Sequence, residues 1–76
     1  MPRYYFNVCS DEFEATDVVG ERCADDIEAL SEAMRKASEV VRSRLASDGH
    51  PAFGWVEVED ERHRPVLKLP LAVAAY

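Results

Sequence analysis

The stretch from Asp26 to Ser47 constrains this chain more than any other. Leu30, Met34, Ala37, Val41 and Leu45 recur every three or four positions, and Ile27, Ala33 and Val40 widen the stripe. Residues at that spacing share one side of a helix, so the pattern predicts an amphipathic helix with an apolar side to be covered. Asp25 or Asp26 can cap its start, and Asp25 with Glu28 has capping-box spacing. Acids fall in the first turn, Arg42 and Arg44 fall near the last, and Glu32 precedes Lys36 by four. Gly49 offers a left-handed stop and Pro51 forbids continuation. Nothing on the stripe is ionisable, so it reads as packing surface. Ala33 and Ala37 would let the helix backbone lie close to a sheet.

On both sides of that helix the apolar period changes from three or four to two. Tyr4, Phe6 and Val8 alternate with Arg3, Tyr5, Asn7 and Cys9, which is the mark of a strand with two unlike faces. Ser10-Asp11-Glu12 suits a turn, and Phe13 to Thr16 reads as a short returning strand. Gly20 marks a tight change of direction after Val18-Val19. Beyond Gly54, Val56 and Val58 alternate with Trp55, Glu57 and Glu59. Asp60 to Arg64 is a charged loop, and Pro65 to Leu69 alternates again, with Pro65 suited to the start of an edge strand.

The resulting order is β-β-α-β-β. It predicts an α+β fold: a four-stranded antiparallel sheet with one amphipathic helix packed on one face. One helix covers one face only. The other face would carry Tyr5, Asn7, Cys9, Trp55, Glu57 and Val66, with Glu59 and Lys68 among them. Two aromatic rings on an uncovered face exceed what a monomer needs to expose. Either the apolar tail, Leu71 to Tyr76, folds over them, or the face is a protein interface, for which a twofold homodimer is the common form.

The 76 residues suffice for a single domain, 1–76. Its stability is expected to be modest, on the order of 4–11 kcal/mol. With 47% hydrophobic residues the chain is not disordered, and a net charge of −6 sets it against nucleic acid and anionic membranes. The bases Arg35, Lys36, Arg42 and Arg44 are interleaved with Glu32 and Glu39, as on a solvated helix face. No apolar run is long enough to span a membrane, and two cysteines are too few for a disulfide framework. A cytoplasmic location with reduced thiols is the expectation, with no nucleic-acid or membrane partner.

No catalytic signature stands out. The candidate metal ligands Cys9, Cys23, His50 and His63 have no paired spacing, and each lies in a different element. His63 sits between two arginines in the charged loop, His50 precedes a proline, and neither is tied by spacing to Cys9 as a base to a nucleophile. The three glycines are far apart, so no phosphate-cradling loop forms. Asp11, Glu12, Glu14 and Asp17 lack the order of a calcium loop and read as a solvated acidic hairpin. The expectation is a non-enzymatic protein with no cofactor and no metal.

The opening Met1-Pro-Arg-Tyr-Tyr-Phe-Asn-Val8 resembles the Met-Pro-Arg-Tyr-Phe-Phe-His-Val opening of a family of short alphaproteobacterial proteins that carries a domain-of-unknown-function label. The likeness runs through Asp17-Val-Val-Gly20, Asp26-Ile-Glu-Ala29, Val56-Glu-Val-Glu-Asp60 and Val66-Leu-Lys-Leu-Pro70. Asn7 stands where that family often has His or Asp, and His63 where a turn Gly is usual, so a ligand role for the strand His does not carry over. The resemblance implies the fold and leaves function open. A fainter likeness is to the antitoxin half of a bacterial toxin–antitoxin pair, without its DNA-binding extension. The functional expectation is a protein-interaction module that self-associates through the uncovered face. The alternatives are an antitoxin-like regulatory partner and a small enzyme or ligand-binding domain using Cys9, His50 or His63.

Overall fold

A computed structural model describes residues 1–50 and 52–72. The elements run β1 (Arg3–Ser10), β2 (Glu14–Ala15), β3 (Glu21–Arg22), α1 (Asp26–Asp48), β4 (Gly54–Glu59) and β5 (Pro65–Pro70). All pairings are antiparallel, and the main sheet has the order β2-β1-β4-β5. The two predicted hairpins are therefore joined through β1 and β4, a pairing of distant segments that alternation does not reveal. The short β3 also pairs with β1, Arg3 against Arg22 and Tyr4 against Glu21. The returning segment predicted from Phe13 to Thr16 is thus shorter than expected at first, and then makes a second contact.

Asp17 causes the break between β2 and β3. Its backbone N–H donates to Asn7 Oδ1 at 2.8 Å, and its carboxylate accepts from the N–H groups of Phe6, Val19 and Gly20 at 3.1, 3.1 and 2.9 Å. The side chain takes over a ladder bond that the backbone would otherwise make and closes a turn that ends at Gly20, where φ is +74°. Desolvation pulls the Asp17 carboxyl pKa upward. The N–H groups of Gly20, Phe6 and Val19 and the nearby Lys36 charge outweigh it, and the net displacement is downward.

The helix starts and stops as its sequence predicts. Asp25 is the N-cap, accepting from Glu28 N at 2.9 Å, and Gly49 terminates it at φ +75° with its N–H on the Leu45 carbonyl. Pro51 lies outside the described residues. The buried line, however, is Ala29, Ala33, Ala37 and Val41, flanked by partly buried Leu30 and Val40. Met34, Leu45 and Ile27, expected on the covered stripe, are exposed, Ile27 to 75%. The small residues let α1 settle against β4 and β5, where Val56, Val58 and Leu69 already fill the volume. Over β1 the bulkier Tyr4 and Phe6 complete the core. Tyr4 also ties sheet to helix: its hydroxyl donates to Asp26 Oδ1 at 2.6 Å. That bond, with burial and the carboxylate charge, raises the phenol to about 12.

Arg44 corrects the solvated reading of the helix bases and of the acidic hairpin. Its side chain is only 13% exposed, and its guanidinium reaches Asp11 at 3.0 Å, Glu12 at 3.1 Å and Asp48 at 2.8 Å. It clamps the β1–β2 turn to the helix. Arg35 and Lys36 do lie in a surface network, with Glu32, Glu39 and Glu21.

Leu71 is fully buried in the core and begins a short 3₁₀ turn with Ala72. Residues 73–76 lie outside the described residues, and with them the reading in which the tail folds over Tyr5 and Trp55.

His63 holds φ +60°, the left-handed conformation, in the β4–β5 loop. A side chain there costs about 1 kcal/mol that glycine does not. A His63→Gly variant is expected to be more stable than His63→Ala by about 1 kcal/mol, a gap of about 4–8 °C in melting temperature. Both lack the ring, so the gap isolates the backbone. Equal melting temperatures would remove the strain.

Candidate interaction surface

Register places the predicted surface residues on the helix-free side. Cys9 lies opposite Trp55, Asn7 opposite Glu57 and Tyr5 opposite Glu59; beyond them Trp55 faces Pro70 and Glu57 faces Lys68. Glu14 stands opposite Cys9 on the other flank. Val66 sits at a register irregularity near Val58 and Glu59 and is exposed.

The face has two unlike ends. At one end the Tyr5 ring stacks on His63 with centroids 4.3 Å apart, and His63 Nδ1 lies 3.3 Å from Glu59 Oε1. This His, from the charged loop, covers an aromatic ring. At the other end Lys68 Nζ stands 3.9 Å over the Trp55 ring. Past Trp55 the alternation continues to Phe53, which is 62% exposed and shares with Trp55 and Cys9 a groove of about 300 Å³. A second shallow groove of about 270 Å³ runs beside it, with Asn7, Cys9, Glu14, Trp55 and Glu57 among its walls. Phe53 was not among the predicted surface residues. Its spacing of two from Trp55 was the signal, obscured by Gly54 between them.

The groups suited to chemistry are not brought together. The Cys9 thiol donates to Glu14 Oε1 at 3.4 Å, and burial followed by that carboxylate raises its pKa, which keeps it a protonated, weak nucleophile near neutrality. His63 packs on Tyr5, four residues from Cys9 along the strand, which is about 13 Å. His50 lies past the helix, its N–H on Asp48 Oδ1. Cys23 is buried in the core, and burial raises its thiol too. Among the described residues no three His, Cys, Asp or Glu side chains converge as metal ligands, and no helix is long and apolar enough to cross a membrane.

A third concavity, about 310 Å³, lies on the helix side between the β1–β2 turn and the second half of α1, walled by Phe13, Val40, Arg44 and Ala52 among others. The Arg44 guanidinium is already engaged with three carboxylates there. The helix-free face combines exposed rings with uncommitted polar groups. The Glu57 carboxylate and the Tyr5 hydroxyl have no hydrogen-bond partner among the described residues, and Asn7 uses only its carbonyl oxygen, on Asp17.

Neither the curated proteins nor the solved structures supply a match to this chain. A family profile does match, over residues 3–72, nearly the whole described fold. The chain belongs to the family described as a domain of unknown function, DUF6894.

Proposed function

We propose that this chain is a non-catalytic protein-docking module whose docking surface is the helix-free sheet face. The observation that carries the reading is the open apolar end of that face. Phe53 and Trp55 are both exposed and line one groove, together with Cys9. Aromatic side chains of this kind are the usual energetic anchors of protein interfaces. The neighbouring Asn7 and Glu57 supply a donor amide and an acceptor carboxylate, the polar surround that gives such an anchor its specificity. The protonated Cys9 thiol and the scattered imidazoles favour binding over chemistry.

The test is photo-crosslinking in the native cell. Phe53 is replaced by p-benzoylphenylalanine, which keeps an aromatic ring at the site, and Ser31 on the exposed side of α1 is replaced likewise as a control. Covalent adducts are expected from position 53 and not from position 31. Equal labelling at both positions, or none at 53, would overturn the reading.

A further inference from the structure

We propose that the occupant of this face is a second copy of the chain, related by a twofold axis parallel to the strands, so that β1 of each copy lies over β4 of the other. The proposal rests on the docking reading and adds the partner and its orientation.

The argument comes from the register. Rotation about an axis lying along the strands keeps each residue's position along the strand and exchanges the two central strands. Within one sheet Tyr5 lies opposite Glu59, Asn7 opposite Glu57 and Cys9 opposite Trp55. The rotation sets these same pairs face to face between copies, in layers about 10 Å apart. The central pair is chemically matched: the Asn7 amide is a hydrogen-bond donor and the Glu57 carboxylate an acceptor. At the two ends Glu59 already meets His63 and the Trp55 ring already lies under Lys68 within the chain. Asn7 Oδ1 is occupied by the Asp17 N–H, so the amide nitrogen is the part of Asn7 left to meet a carboxylate. A twofold axis across the strands would instead stack β1 on β1 and β4 on β4, so the Asn7 amide would meet no Glu57 carboxylate of the other copy. The Asn7–Glu57 match therefore selects the axis along the strands.

The area sets the strength. The three long strands, β1, β4 and β5, span about 20 Å and together are about 14 Å wide, giving about 280 Å² per copy. That is about a third of a standard interface, so the pair is weak and exchanges rapidly.

Two single variants test this, Asn7→Asp and Glu57→Lys, each checked for folding by its melting curve. The Asn7→Asp side chain keeps an oxygen for the Asp17 amide, and position 57 is on the open face, so both variants are expected to fold. In a pair of Asn7→Asp chains carboxylates oppose each other at both crossing contacts. In a pair of Glu57→Lys chains both amides lose their acceptor. A mixed pair has one new ion pair and one unchanged contact. Sedimentation equilibrium up to about 1 mM is expected to show self-association of the wild type, weakening of each variant alone by about tenfold or more, and recovery in the mixture. A wild-type dimer with no preference for the mixed pair would overturn the axis. A wild type that stays monomeric would overturn the second copy. Adducts from position 53 to some other protein would then leave the docking reading standing, while loss of those adducts would remove both.

Discussion

Replacing Gly54 with alanine is expected to cost about 4 kcal/mol or more of stability. Gly54 has φ +137°, a region that side chains rarely enter. A Cβ built there would lie 1.9 Å from the Cys9 carbonyl oxygen and 2.7 Å from Ser10 Cα, both backbone atoms of the paired strand β1. Neither can swing aside as a flexible side chain would. To admit a methyl group, β1 and β4 must part where Ser10 faces Gly54, next to the Cys9–Trp55 pair. Those two strands form the centre of the sheet, so the loss spreads to the core beneath them. Against a total stability of about 4–11 kcal/mol, that removes between about a third and all of it. Gly20→Ala makes a useful comparison. Its nearest clash, at 2.8 Å, is with Arg3 Cγ, a movable side chain, although Tyr4 O follows at 2.9 Å. Chemical denaturation of the two variants should rank Gly54→Ala well below Gly20→Ala. A Gly54→Ala protein within about 1 kcal/mol of wild type would show that this strand crossing is looser than described.

The second large effect is expected at Asp17. Truncation to alanine strands the N–H groups of Phe6, Val19 and Gly20, all of which donate to its carboxylate. Hydrogen bonds to a charged acceptor contribute about 1.5–3 kcal/mol each, but these three share one group and are not additive, so about 3 kcal/mol is expected. For a domain of this size that is a fall in melting temperature of about 12–24 °C. Asp17→Asn keeps one acceptor oxygen and should lose less. The same carboxylate also fixes the sign of the pH response. Its folded pKa is displaced downward, so its contribution is complete above the unfolded value near 4 and is lost as pH falls through the lower folded value. Asp11, held low chiefly by Arg44, works in the same direction. Urea titrations of wild type and Asp17→Ala should therefore differ most above about pH 5 and converge in strong acid. A constant gap at every pH would show that the carboxylate charge is not what holds the loop.

Both predictions concern places where the chain was only partly legible in advance. The Asp17-Val-Val-Gly20 segment looked like a turn, and it is one. That its aspartate also reaches across to Phe6 N could not be read, because that bond depends on how the chain returns along β1. Gly54 stood out as the start of an alternating run. Its positive φ follows from close approach to Cys9, a residue forty-five positions earlier. Trp55, Tyr5 and Lys68 were placed on the right face by alternation alone, yet the partner of Tyr5, His63, comes from a segment that alternation does not connect to β1.

The sequence by itself determined the order of the four sheet strands and the helix (though not the two-residue β3), the two faces of the long strands, and the ends of the helix. Each of these is a local property, set by a repeat of two or of three to four residues and by capping groups within one turn. Only the tertiary structure decided that β1 joins β4, that Arg44 clamps the hairpin, and that Ala29 joins Ala33 and Ala37 against the sheet while Met34 and Leu45 do not. Hydrophobicity ranks leucine and methionine above alanine. Once Val56, Val58, Tyr4 and Phe6 fill the space beneath the helix, volume decides, and the smaller side chains fit.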